Sequence, residues 1–68
     1  MATYYVHTST DNKGNQEVHR EGCAVLPNEE NRIELGEFSN CTAAVEAAKK
    51  HYSNVDGCWH CSEECHNE

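Results

Sequence analysis

Two thiols separated by two residues, in Cys58-Trp59-His60-Cys61, constrain this chain more than any hydrophobic pattern in it. A tight turn over that spacing can bring both sulfurs to one tetrahedral ion, at about 2.3 Å each. One such pair is half a site. His19-Arg20-Glu21-Gly22-Cys23 supplies a second pair, whose three-residue spacer can close another chelating turn. Gly22 precedes Cys23 and Gly57 precedes Cys58, and glycine permits the positive φ that tight knuckles often use. The expected metal ligands are therefore His19, Cys23, Cys58 and Cys61, and the expected ion is zinc. Four protein ligands close a tetrahedral site, and closed zinc sites are structural, whereas catalytic zinc keeps a position for water. Two points stay open at this level. Cys65 or His66 could replace His19 as the fourth ligand, and cysteine-rich sites also admit iron or cobalt.

The rest of the composition explains why such a site is needed. Of 68 residues, 37% are hydrophobic, but six of these are Ala and five are Cys, while Val, Ile and Leu together supply eight. A chain of this size buries only about 60% of its unfolded surface. Ordering costs of about 1.5 kcal/mol per residue nearly cancel what so thin a core returns. A zinc site contributes on the order of 10 kcal/mol of metal-dependent folding energy. The length suits one small metal-binding domain over residues 1–68.

Charge narrows the partners. Twelve acids against five bases leave −7 at neutral pH, with no basic cluster longer than Lys49-Lys50. Nucleic acid and anionic membranes both reward Lys and Arg, so neither is expected as a partner. The expected partner is another protein, and the expected state is a monomer. Met1 to His7 carries no basic and apolar leader pattern, so the expected location is the cytoplasm. Dense cysteine in a reducing compartment points to metal or reactive thiol rather than to disulfides.

Thr3–Thr8 is β-branched and aromatic, Gln16–Arg20 is a second extended candidate, and Asp11–Asn15 between them has turn chemistry. Arg32-Ile33-Glu34-Leu35 alternates as a third strand, with Gly36 expected to break it. Ser39 or Asn40 is the expected N-cap, with Phe38 as a hydrophobic staple. Cys41, Ala44, Val45, Ala48 and Tyr52 then recur at helical spacing, and Asn54–Gly57 ends the helix. The fold class expected is α+β, a three-stranded antiparallel sheet against one helix. Tyr4, Tyr5, Val18, Ile33, Leu35, Phe38, Val45 and Ala48 are its expected core and core margin.

A hairpin ending in a ligand pair with a three-residue spacer, a short strand, Gly36-Glu37-Phe38, a helix and the closing Cys58-x-x-Cys61 resembles the N-terminal zinc domain of the Ada methylphosphotriester-repair proteins. Small bacterial proteins that carry such a module alone are similar too. The resemblance covers roughly residues 16–61. In that family four thiolates bind zinc and one accepts a methyl group from a DNA phosphotriester. Carried over by position, the ligands are again His19, Cys23, Cys58 and Cys61. His19 stands where the family has Cys, and the basic residues that would grip DNA are largely missing. The resemblance thus implies zinc more than it implies methyl transfer.

The remaining cysteines and histidines divide between site and scaffold. Cys41 falls in the first helical turn, where a thiol can be activated, but it also lies on the apolar stripe, which suits a buried, inert residue. A further reading pairs Cys41 with Cys65 and leaves three thiols for metal. His7 and His51 read as surface or packing residues, His60 points away from an ion held by its neighbours, and Trp59 and Tyr52 cover the site and core, with an exposed Trp59 as partner anchor the alternative. No nucleophile elbow, phosphate loop or His-Glu-x-x-His is present, and the spacing of Cys58, Cys61 and Cys65 matches no common iron–sulfur run. No enzyme is expected. The function expected is a noncatalytic zinc-stabilised binding or adaptor module, with an alkyl acceptor or a disulfide-stapled, redox-responsive domain as alternatives.

Overall fold

Alternation at the N-terminus produces the central strand of the molecule. In the computed structural model, which describes residues 1–10 and 14–66, β1 spans Ala2–Thr10 and pairs antiparallel with β2, Gln16–Arg20. The expected turn over Asp11–Asn15 falls partly on 11–13, outside the described residues. Side chains on a strand alternate between faces. Tyr4, Val6 and Val18 therefore share one face and are buried, whereas Tyr5 and His19, directly paired across the hairpin, share the other.

β3, Arg32–Phe38, pairs antiparallel with the opposite edge of β1. Gly36 does not break this strand as expected. It takes φ +118° beside a shift in register between Tyr4 and Tyr5, and so absorbs a bulge inside the strand. The bulge leaves Ile33 opposite Val6 on the apolar face while Phe38 still reaches Tyr4, at a ring separation of 6.3 Å.

The helix α1, Cys41–Ala48, starts where its cap directs. Asn40 is extended, and its side-chain oxygen accepts from the Ala43 N–H at 3.1 Å. Cys41, Ala44 and Ala48 are buried and join Tyr4, Val6 and Val18 in one cluster, with Ile33, Leu35, Phe38, Val45 and Tyr52 packed partly against it. Tyr5, expected near that core, instead lies on the far face under the Arg32 guanidinium, 4.5 Å from the ring centroid.

Among the described residues the sheet has four strands, not three, and it is mixed. The helix ends at Ala48, and the segment expected only to terminate it forms β4, Val55–Gly57, parallel to β2 in the order β3-β1-β2-β4. Gln16 N–H donates to the Asn54 carbonyl and Cys58 N–H to the Val18 carbonyl, at 2.8 and 2.9 Å. The physical reason is delivery: Cys58 reaches His19 because the chain returns alongside β2. Helix and ligand turns thus lie on opposite faces of one sheet.

Candidate metal centre

The far face is closed by two turns. Cys23 N–H donates to the Arg20 carbonyl and Leu26 N–H to the Cys23 carbonyl, both at 3.1 Å, with Gly22 at φ +81° just before Cys23. Arg32 Nη1 donates to the Pro27 carbonyl at 2.9 Å and ties the loop to β3. On the other side, Ser62 N–H donates to the Cys58 carbonyl at 2.8 Å and folds residues 58–61 into a knuckle. The Arg20 N–H, donating to Cys61 Sγ at 3.2 Å, joins that knuckle to β2.

These turns bring His19, Cys23, Cys58 and Cys61 together, with one ligand atom of each lying within 4.8 Å of all the others. Cys23 Sγ is 3.9 Å from Cys58 Sγ and 3.8 Å from His19 Nδ1. Zinc–sulfur bonds of about 2.3 Å at tetrahedral angles require edges of about 3.8 Å. Both Cys23 separations match that edge, and the remaining donor separations exceed it by at most about 1 Å. His19 and Cys58 are buried, Cys23 and Cys61 half-buried.

The electrostatics suit a cation. Burial, followed by the neighbouring His7, lowers the His19 pKa to about 4, so its imidazole is neutral and has a lone pair to give at ordinary pH. Burial, then the hydrogen bond with Cys61 and the crowding of the other thiols, pushes Cys23 up to about 12. Burial likewise raises Cys58. Three sulfurs so close resist becoming thiolates together unless a positive ion sits among them. Backbone donors help: the His60 N–H lies 3.4 Å from Cys58 Sγ, and Val25 supplies one to Cys23. His19 Nε2, turned away from the cluster, makes no hydrogen bond among the described residues and lies 3.7 Å from Glu17 Oε1. A carboxylate behind a ligating histidine is a common way to orient the ring.

The alternative fourth ligands lie elsewhere. Cys65 is disulfide-bonded to Cys41, which makes Cys41 buried but not a free thiol. His66 Nδ1 faces Asp56 Oδ2 at 3.1 Å and the Gly57 carbonyl at 3.0 Å. His7 stands 6.3 Å from His19, ring to ring, and His51 is exposed. His60 points outward, edge-on to Trp59. Trp59 does not cover the site as expected; it is 58% exposed, because the knuckle turns its two middle residues outward to aim both sulfurs inward. Buried Asp56 and Ser62 had no sequence signal, since their role is to hold the returning chain. Among the described residues no helix is long and apolar enough to cross a membrane. Comparison of the chain with protein-family models, curated proteins and solved structures finds no match in any of the three.

Proposed function

We propose that this chain is a small noncatalytic zinc-stabilised domain acting as a binding or adaptor module. The observation that carries this reading is the convergence of one nitrogen and three sulfurs within 4.8 Å. Four protein donors leave no position for a substrate water, which favours a structural ion over a catalytic one. The ion would tie the end of the hairpin to the strand that follows the helix. Its two loops each display an apolar side chain, Val25 and Trp59, 47% and 58% exposed, on backbone that the metal makes rigid. A rigid exposed tryptophan is a suitable anchor for a protein partner. The cytoplasm is the proposed location; there the Cys41–Cys65 bond would be exposed to thiols.

Native mass spectrometry of protein purified without added metal tests the reading. One zinc per chain, lost on denaturation, is expected. A metal-free chain that keeps its fold overturns it.

A second reading follows from the uneven burial of the sulfurs. Cys23 and Cys61 are half-buried while Cys58 is enclosed, so an alkyl acceptor resembling the Ada domain would use an outer thiolate, Cys23 first. A methyl donor or methylphosphotriester DNA should then leave one methyl group on Cys23. An unmodified cysteine set under excess donor removes this alternative.

A further inference from the structure

The Cys41–Cys65 disulfide lies outside the ligand cluster and joins the first residue of α1 to the turn that follows the knuckle. Its two sulfurs differ in access. Cys41 is 6% exposed, whereas Cys65 is half-buried and lines an open cleft of about 210 Å³ with Thr42, Val45, Glu46 and Glu64. We propose that this disulfide is a thiol-exchange site, entered at Cys65 Sγ by a small cationic aminothiol, and that opening it loosens the Cys58–Cys61 knuckle.

The chemistry is complete with two equivalents of thiol. The thiolate of the first bonds to Cys65 Sγ, the Cys41–Cys65 bond breaks, and its electron pair leaves on Cys41 Sγ, which takes a proton. Cys41 is the leaving group because attack at the more open Cys65 Sγ places the departing electron pair on its partner. A second thiolate attacks the aminothiol sulfur, frees Cys65 as a thiol and leaves as the oxidised aminothiol dimer. Two thiols are oxidised and one disulfide is reduced. Glu64 on the cleft wall, beside Glu46 whose carboxylate also accepts from Lys49 Nζ at 2.9 Å, in a chain of net charge −7, selects for an ammonium on the entering thiol and against a carboxylate or sulfonate.

The coupling to the ligand turn is steric and hydrogen-bonded. A Cβ on Gly57 would lie 2.6 Å from Cys65 Cβ and 2.8 Å from the Ser62 carbonyl oxygen, so the backbone just before Cys58 is pressed directly against the Cys65 turn. Cys65 N–H donates to Ser62, whose own N–H donates to Cys58. The disulfide pegs this hook to α1. This half of the proposal rests on the metal reading above.

The full chain is incubated with cysteamine or with mercaptoethanesulfonate at matched thiolate concentration, then acid-quenched and mapped by mass spectrometry. The first adduct is expected on Cys65, forming about fivefold faster with cysteamine at low salt and at nearly equal rates at high salt. An adduct on Cys41, or equal rates at low salt, overturns the exchange site. For the coupling, zinc transfer to a chromogenic chelator is timed for the wild type and for Cys41→Ser/Cys65→Ser. Transfer about tenfold faster from the variant is expected, and equal transfer overturns the coupling. If the variant does not fold, wild type opened by cysteamine and desalted gives the same readout. A wild-type chain without zinc in native mass spectrometry removes the metal reading and the loosening together, while the adduct map still decides the exchange site.

Discussion

The two faces of the sheet are held by different chemistry. The helix face buries Tyr4, Val6, Val18, Ala44 and Ala48, a set dominated by small side chains. The opposite face buries His19 and Cys58 and crowds the thiols of Cys23 and Cys61 around them. The first face gains from leaving water whatever else is bound. The second gathers groups that repel one another when ionised, and on the proposed reading a cation relieves that repulsion. One sheet would thus join a weak unconditional core to a strong conditional one.

Removing the metal tests that contrast most severely. Chelation should cost on the order of 10 kcal/mol and unfold both faces, because the helix face is too thin to stand alone. Loss of far-UV ellipticity and of amide dispersion in NMR spectra is the expected result. A chelated chain with an unchanged spectrum would mean that the helix face alone holds the fold.

Acidity should separate the faces as well. Cys23, pushed up to about 12, and Cys58, raised by burial, both carry protons at neutral pH that a metal must displace. His19, lowered to about 4, carries none there and adds nothing to the slope. Metal retention therefore strengthens as pH rises and weakens as it falls, by about tenfold per pH unit for each thiol proton displaced, over roughly pH 7 to 8. Chelator competition across that range measures it. A pH-independent affinity would mean that the sulfurs are not the ligands.

Substitutions sharpen the contrast at single positions. Gly57→Ala forces a Cβ against Cys65 Cβ and two backbone atoms, at 2.6 to 2.8 Å. It should cost about 3 kcal/mol and lower Tm by roughly 15 °C. Val18→Ala, emptying a fully buried position on the helix face, should cost about 2 kcal/mol. Zinc stoichiometry measured beside thermal melts distinguishes the two: Gly57→Ala should also speed metal loss, and Val18→Ala should not.

How far the sequence discloses these faces follows from the same division. The convergence of His19, Cys23, Cys58 and Cys61 was legible because chelation imposes short spacings, and both His19-x3-Cys23 and Cys58-x2-Cys61 keep them. The helix was legible through its capped apolar stripe, although Tyr52 lies beyond its end. β4 was not, since Val55-Asp56-Gly57 is held by its pairing with β2 and by no propensity of its own. Gly36 was read as a breaker because the register shift that its backbone absorbs belongs to the tertiary pairing with Tyr4 and Tyr5. The Cys41–Cys65 bond was one reading among several, because spacing alone does not choose partners among five cysteines.

The smallest predicted effect isolates the helix from both faces. Asn40 accepts from the Ala43 N–H and belongs to neither the ligand cluster nor the apolar cluster. Asn40→Ala leaves one of the helix's early donors without its partner and should cost about 1 kcal/mol, lowering Tm by roughly 5 °C. Asn40→Asp should keep the cap, because its carboxylate accepts the same bond and suits the positive end of the helix. Zinc stoichiometry and the chelator-transfer rate should be unchanged in both variants. If Asn40→Ala released zinc faster, the start of α1 would be part of the conditional core, connected to it through the adjacent Cys41 and its bond to Cys65. The two faces would then be a single cooperative unit rather than two separately supported ones.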